Sequence, residues 1–367
     1  MQPPAPIWLA TPSRFATFSR RQARIALAAL AALLLLSLTV FLVPPPPPAA
    51  IDGTGQTDIA LYESIVAAVA HGEDYYRATA DALRAGGYPL RPFLTFRMPG
   101  LAVVQATLPP ALTIALLLLL AAATTIAWFL RLARMLPRLP ARLAAAILLA
   151  AGMLAFVQPD LVAFHEIWAG LLVALSLALR RPDRWVEAAA VALIAMLIRE
   201  TAALYAVAMG AIALAEGRRR EAMGWGAALG VFAIALIAHA VAVHGVTSPL
   251  DATSPGWSGL HGFGLFVRAM TLATGLQLLP QFLAALLIAL TLFGWTGQRD
   301  PLALRALALF AGWALAIGLF ARLDTFYWGL MVAPVFLVGL LFVPDGLRDL
   351  VARAFDGRRV VVTRVRR

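Results

Sequence analysis

The chain has 367 residues, 62% of them hydrophobic and 13% charged, with a mean hydropathy of +0.83. Soluble domains carry about 25% charged residues, so a soluble enzyme, a disordered chain and, with no cysteine, a disulfide-stapled secreted domain are all excluded. The net charge is +11, but all 30 basic residues are arginines clustered between apolar runs, the positive-inside pattern of a polytopic membrane protein rather than a nucleic-acid surface.

Residues 1–24 form a basic lead in which Trp8, Phe15 and Phe18 alternate with Arg14, Arg20, Arg21 and Arg24, expected on the cytoplasmic membrane surface. The apolar run from Ile25 to Val43 ends in five prolines rather than a small-x-small cleavage site, which predicts an uncleaved first span. Pro44 to Pro48 read either as a polyproline II stalk of roughly 15 Å, at ~3.1 Å per residue, or as a simple stop. They open a long extracytoplasmic loop, 44–107. Within it, Asp58 to Ala70 is predicted to be an amphipathic helix with Ile59, Tyr62, Val66 and Val69 on one face. A second helix, Tyr75 to Arg84, is expected before Gly86-Gly87, and Pro89, Pro92 and Pro99 break the chain beyond it.

Further spans are expected at about 108–130, 141–157, 163–180, 185–199, 201–216, 222–244, 276–295, 303–320 and 326–343. The pair 185–199 and 201–216 reads as a hairpin or as one broken helix, and the cluster Arg218 to Arg220 favours the hairpin. Ten crossings put both termini in the cytoplasm, with 23 arginines inside and seven outside. The expected fold class is an all-α transmembrane bundle. Residues 25–343 would be its membrane domain, and 344–367 a basic cytoplasmic tail for anionic lipid or a partner.

The chain has no phosphate-binding Gly-rich loop, no Gly-x-Ser-x-Gly elbow and no zincin motif; His165-Glu166 begins the last, but position 169 is Ala. Instead the carboxylates gather at the outer membrane edge, where charged groups are functional candidates by default. Asp58, at the start of its helix, reads as an N-cap or as a general base, with Tyr62 one turn later on the same side. His165 and Glu166 read as interfacial polar residues, as acceptor-sugar contacts or as metal ligands. Arg199 and Glu200 read as a self-satisfying ion pair or, through Arg199, as an anion site, a role open to Arg97 and Arg322 as well. Trp257, Tyr327 and Trp328 read as interfacial-belt aromatics, and no role is expected for His239 or His244.

The arrangement resembles the GT-C superfamily of integral-membrane glycosyltransferases, which includes protein O-mannosyltransferases and aminoarabinose transferases of lipid A. The resemblance lies in one span, a long outer loop with interfacial helices, and an Asp near the first helix start, here Thr57-Asp58-Ile59-Ala60-Leu61-Tyr62-Glu63. It extends through Gly72-Glu73-Asp74-Tyr75, Phe96-Arg97-Met98-Pro99-Gly100-Leu101 and Leu197-Ile198-Arg199-Glu200-Thr201-Ala202, covering roughly residues 20–215. It implies a polyprenyl-phosphate sugar as donor and a cell-envelope glycan, lipid or protein as acceptor, in a bacterial inner membrane. Asp58 would be the inverting base. Arg199, then Arg97 and Arg322, would hold the phosphate, with Tyr62, His165, Glu166 and Glu200 as acceptor or accessory residues. A divalent metal stays open, but Ile59 stands where the family carries a second acidic residue. The chain also ends soon after the tenth expected span, without the family's further spans or outer domain. The competing readings are a transporter or flippase for a lipid-linked sugar, an inactive scaffold of the same type, and a polysaccharide polymerase or ligase.

Overall fold

The computed structural model describes residues 6–45, 58–257 and 259–355. Pro46 to Pro48, Asp52, Thr57 and the terminal arginines from Arg358 onward lie outside the described residues. Among those described the fold is all-α, and the one β-type contact is an isolated bridge between Arg91 and Thr253. The helices, in order, are α1 (Arg20–Ser37), α2 (Asp58–Ala70), α3 (Tyr75–Ala85), α4 (Pro99–Thr107), α5 (Pro110–Ala133), α6 (Leu139–Gly152), α7 (His165–Leu179) and α8 (Val186–Ile198). They continue with α9 (Ala203–Ala215), α10 (Arg219–His244), α11 (Gly262–Ala273), α12 (Gln281–Gly297), α13 (Pro301–Phe320), α14 (Ala333–Phe336) and α15 (Val343–Ala354).

Four helical stretches among the described residues are long and apolar enough to cross a membrane: Arg20–Leu42, Pro110–Ala133, Arg219–His244 and Pro301–Phe320. Their outer faces carry bare aliphatic side chains such as Leu119, Ile126, Ile234, Ile237 and Val241, which suits a hydrocarbon solvent. At the centre stands α7, buried along nearly its whole length. Gly170 lets it approach the backbone of Leu330, where a Cβ would lie 2.3 Å from the carbonyl oxygen. Small residues at such contacts are how apolar helices pack without a hydrophobic drive between them.

Several expectations need correction. The stretch 245–275, between the expected spans 222–244 and 276–295, is not all loop, because α11 forms there and is buried. Gly264 near its start packs on Thr39 at the end of the first span, and Gly275 just after it packs on Ala151 at the end of α6. Both ends of α11 therefore lie at one end of the bundle. The expected span 326–343 is not a continuous helix. It runs as 3-10 turns at Phe326–Met331 and Leu337–Phe342 around the four-residue α14. Gly329 packs on the backbone of Ala269 and Gly339 on that of Thr291, and from Gly329 to Gly339 the stretch is buried. The expected span 276–295 begins later, at Gln281, after a 3-10 turn. Helix α6 stops at Gly152 and continues as the 3-10 turn Leu154–Val157. Residues 185–216 form two helices, α8 and α9, with the extended Arg199 between them, a break that both expected forms contain.

The basic lead packs on the last helix. Phe15 and Leu9 are buried, and Asp345 of α15 accepts hydrogen bonds from the backbone N–H groups of Ile7, Trp8 and Leu9. Asp349 takes the N–H of Ser13. The stretch expected as a free basic tail therefore begins with a docked helix, α15, which packs on α1 and α12.

Candidate functional site

The site is built on the first long loop. Helix α2 buries Leu61 and Ile65, with Tyr62, Val66 and Val69 half-buried beside them. This apolar stripe packs on α3 and α4, and the expected bounds Asp58 to Ala70 hold. Helix α3 starts at an Asp74 cap, whose side chain accepts from Arg77 N–H, and ends at Ala85, one residue beyond the expected Arg84, with Gly86 as its C-cap. Tyr75, Leu83, Leu90 and Phe96 close a small core shared with Val243 of α10. Tyr76 donates to or accepts from His239 Nδ1 at 3.2 Å, so His239, expected to be without a role, anchors this unit.

A second tie reaches the segment before α11. Arg84 makes a two-pronged contact with Asp251 at 2.9 Å, and Leu90 N–H bonds Ala252 O at 2.9 Å. The Arg84 guanidinium holds the Asp251 carboxyl down at about 2, so this clamp keeps its charge throughout the neutral and mildly acid range.

Between the loop unit and the bundle lies a cavity of about 900 Å³. Asp58, Tyr62, Arg97, His165, Arg199, Glu200 and Arg322 all line it, together with Trp257, Tyr327 and Trp328. Residues up to 270 positions apart in sequence thus meet around one cavity. Glu166 does not reach the cavity; it is fully buried behind it.

The arginines differ in what they already hold. Arg199, 3% exposed, donates to Glu166 Oε1 at 2.6 Å and also contacts Glu200. Two carboxylates therefore hold it from either side, and its charge is spent within the protein. Arg322 pairs with Asp324 at 3.1 Å on an exposed rim. Arg97 has no salt bridge among the described residues. Its Nε donates to the Tyr62 hydroxyl at 3.1 Å, its guanidinium carbon lies 5.9 Å from the Tyr62 ring centre, and its carbonyl accepts from Tyr75. An unpaired guanidinium beside a cavity keeps its donors for a ligand.

Asp58 is the matching anion. It has no salt bridge among the described residues, and its Oδ1 accepts from the Tyr88 hydroxyl at 3.1 Å. Burial pushes its carboxyl above the usual range, against the opposing pull of that hydrogen bond and of Arg97. His165 is 3% exposed, and neither ring nitrogen has a protein partner; Thr201 Oγ1, also on the cavity wall, is likewise unsatisfied. Buried polar atoms without partners are costly and mark places that a ligand or water satisfies. Among the described residues no group of three or more His, Asp or Glu side chains could hold a metal ion.

Sequence reading did not single out Tyr88. The aromatic directly after the Gly86-Gly87 turn was the available signal. No protein-family model, curated protein or solved structure matches this chain.

Proposed function

We propose that the chain is a membrane glycosyltransferase that moves a sugar from a polyprenyl-phosphate donor to an extracytoplasmic hydroxyl acceptor. The observation that carries this reading is the pairing of one unspent anion, Asp58, with one unspent cation, Arg97, on the wall of a single cavity. The acceptor oxygen would bond to the anomeric carbon while its proton passes to the Asp58 carboxylate. The bond from that carbon to the phosphate oxygen breaks, its electron pair leaves with the lipid phosphate, and the configuration inverts. The phosphate gains charge in that step, and a fixed guanidinium at that point favours the transition state over the bound donor. Arg97 suits this role better than Arg199, whose charge Glu166 and Glu200 already answer.

His165 and Thr201 offer hydroxyl-matching groups for the acceptor, since a neutral imidazole carries one donor and one acceptor. The membrane reading has ten crossings, with α11 starting and ending outside and the irregular 326–342 stretch as the last. That places the cavity on the extracytoplasmic side and both ends of the chain in the cytoplasm. The sugar would arrive already attached to lipid, so no nucleotide site is required.

The test is donor consumption in liposomes carrying purified protein, a panel of polyprenyl-phosphate sugars and envelope extract as acceptor. Wild type should consume one donor, and Asp58→Asn should fold and insert while losing about 10²–10⁴-fold in rate. Near wild-type turnover by Asp58→Asn removes Asp58 as base. Failure to consume any donor favours the transport or scaffold readings.

A further inference from the structure

Asp58 presents its two carboxylate oxygens unequally. Oδ1 accepts from Tyr88, whereas no described residue donates to Oδ2. Tyr88 reaches Asp58 from the far side of the loop unit, and its backbone is held firmly. Gly87, at φ +67°, reverses the chain after α3, a conformation that costs a residue with a Cβ. Tyr88 N–H then bonds Leu83 O at 2.8 Å. Two residues on, Leu90 N–H is tied to Ala252 O, beside the Arg84–Asp251 clamp. The hydroxyl is thereby delivered to the first turn of α2 by a framework that does not depend on Asp58 itself.

We propose that Tyr88 is a positioning residue: its hydroxyl holds Oδ1 of Asp58, fixes the carboxylate plane and leaves Oδ2 as the oxygen free for a proton. The functional half of this statement rests on the reading of Asp58 as base; the coupling of the two side chains does not. The groups that bear on Asp58 come from every element around it. They are Tyr62 on α2, Tyr88 after α3, Arg97 before α4, Glu166 on α7, and Asp324 and Tyr327 in the last connection. Arg97 is the one cation among them, and it bonds Tyr62 rather than Asp58. Tyr88 is the one direct donor to the carboxylate among the described residues. A hydroxyl bonded to a carboxylate stabilises the ionised form. It therefore opposes burial, and its loss raises the pH at which Asp58 takes a proton.

The experiment is an infrared titration of purified full-length protein, following the protonated-carboxyl band that Asp58→Asn lacks. Tyr88→Phe keeps the ring and removes the hydroxyl, and should move the midpoint upward by about one pH unit, the size expected for a hydrogen bond to a charged group. Tyr76→Phe removes a hydroxyl bonded to His239 and should leave the midpoint in place. In the transfer assay, the rate that Tyr88→Phe loses at low pH should return as the pH rises. A midpoint unmoved or lowered in Tyr88→Phe, or a rate loss equal at all pH, overturns the positioning role whatever Asp58→Asn does. A shifted midpoint with a fully active Asp58→Asn instead overturns the base reading and leaves the coupling standing.

Discussion

Helix α7 joins two buried charged clusters of opposite character. At its C-terminal end Arg180 grips Glu221 with two hydrogen bonds of 2.8 and 2.7 Å, both side chains being 2% exposed. Glu216 pairs with Arg305 through two more, at 3.0 and 2.7 Å, and with Arg218 at 3.2 Å. One atom there, Arg305 Nε, lacks a partner. At the N-terminal end, 15 residues away, His165 and Thr201 keep unsatisfied atoms, Arg97 and Asp58 keep unpaired charge, and a cavity opens beside them. His165, Glu166 and Arg199 at one end are as buried as Arg180, Glu221 and Arg305 at the other, so the cost of desolvation does not separate them. Completion does. A cluster that answers its own charges is a structural joint, and one that leaves charges unanswered around a space is arranged for something that enters.

That contrast can be broken by substitution. The largest effect should come at the closed end. Glu221→Gln leaves Arg180 with Glu216 alone, at 3.8 Å, and breaking a buried pair on one side costs about 3–5 kcal/mol. The thermal midpoint in detergent should fall steeply, and a variant as stable as wild type would mean the cluster is not a joint. Next comes a split within the open end. Arg97→Gln should keep the melting temperature and lose about 10²–10³-fold in transfer, the scale for removing one group that stabilises developing charge. Arg199→Gln should do the reverse first, lowering stability because Glu166 is left buried beside no cation. If both variants lose only stability, Arg97 belongs to the frame rather than to the chemistry. The smallest effect is a displacement along the pH axis. Transfer needs ionised Asp58, whose carboxyl burial raises, so activity should be full at higher pH and fall as pH drops through that raised value. The acid limb should then lie above the ordinary carboxylate range, and a limb near or below pH 4 would contradict the site as drawn.

Sequence made the local parts of this molecule legible and left the long-range ones hidden. Helices α2 and α3 could be bounded within a residue because Asp74, Gly86 and Gly87 punctuate them locally. The resemblance ranked Arg199 ahead of Arg97 for the phosphate. What separates them is Glu166, which is adjacent to Arg199 only after α7 has packed. Helix α11 was missed because two glycines and Arg268 interrupt its apolar pattern over just 12 residues. The stretch 326–343 misled in the other direction. A stretch buried on all sides is apolar throughout whatever its backbone does, so composition could not reveal the 3-10 turns around Pro334. Asp345 and Asp349 looked like ordinary charges of a cytoplasmic tail, since nothing near them in sequence points to the lead they bind.

The grip of Asp345 on the lead has a consequence in time. Leu9 leaves the ribosome long before its partner, which follows 336 residues later. At about 5–20 residues per second of synthesis the wait is roughly 20–70 s. For all that time the three N–H groups of Ile7, Trp8 and Leu9 lack the carboxylate that later satisfies them, and the early helices enter the bilayer with the lead unlatched. The fold is then fastened at its very beginning by one of its latest acts, so a nascent chain arrested before residue 343 would expose its first residues to protease while a finished one would shield them.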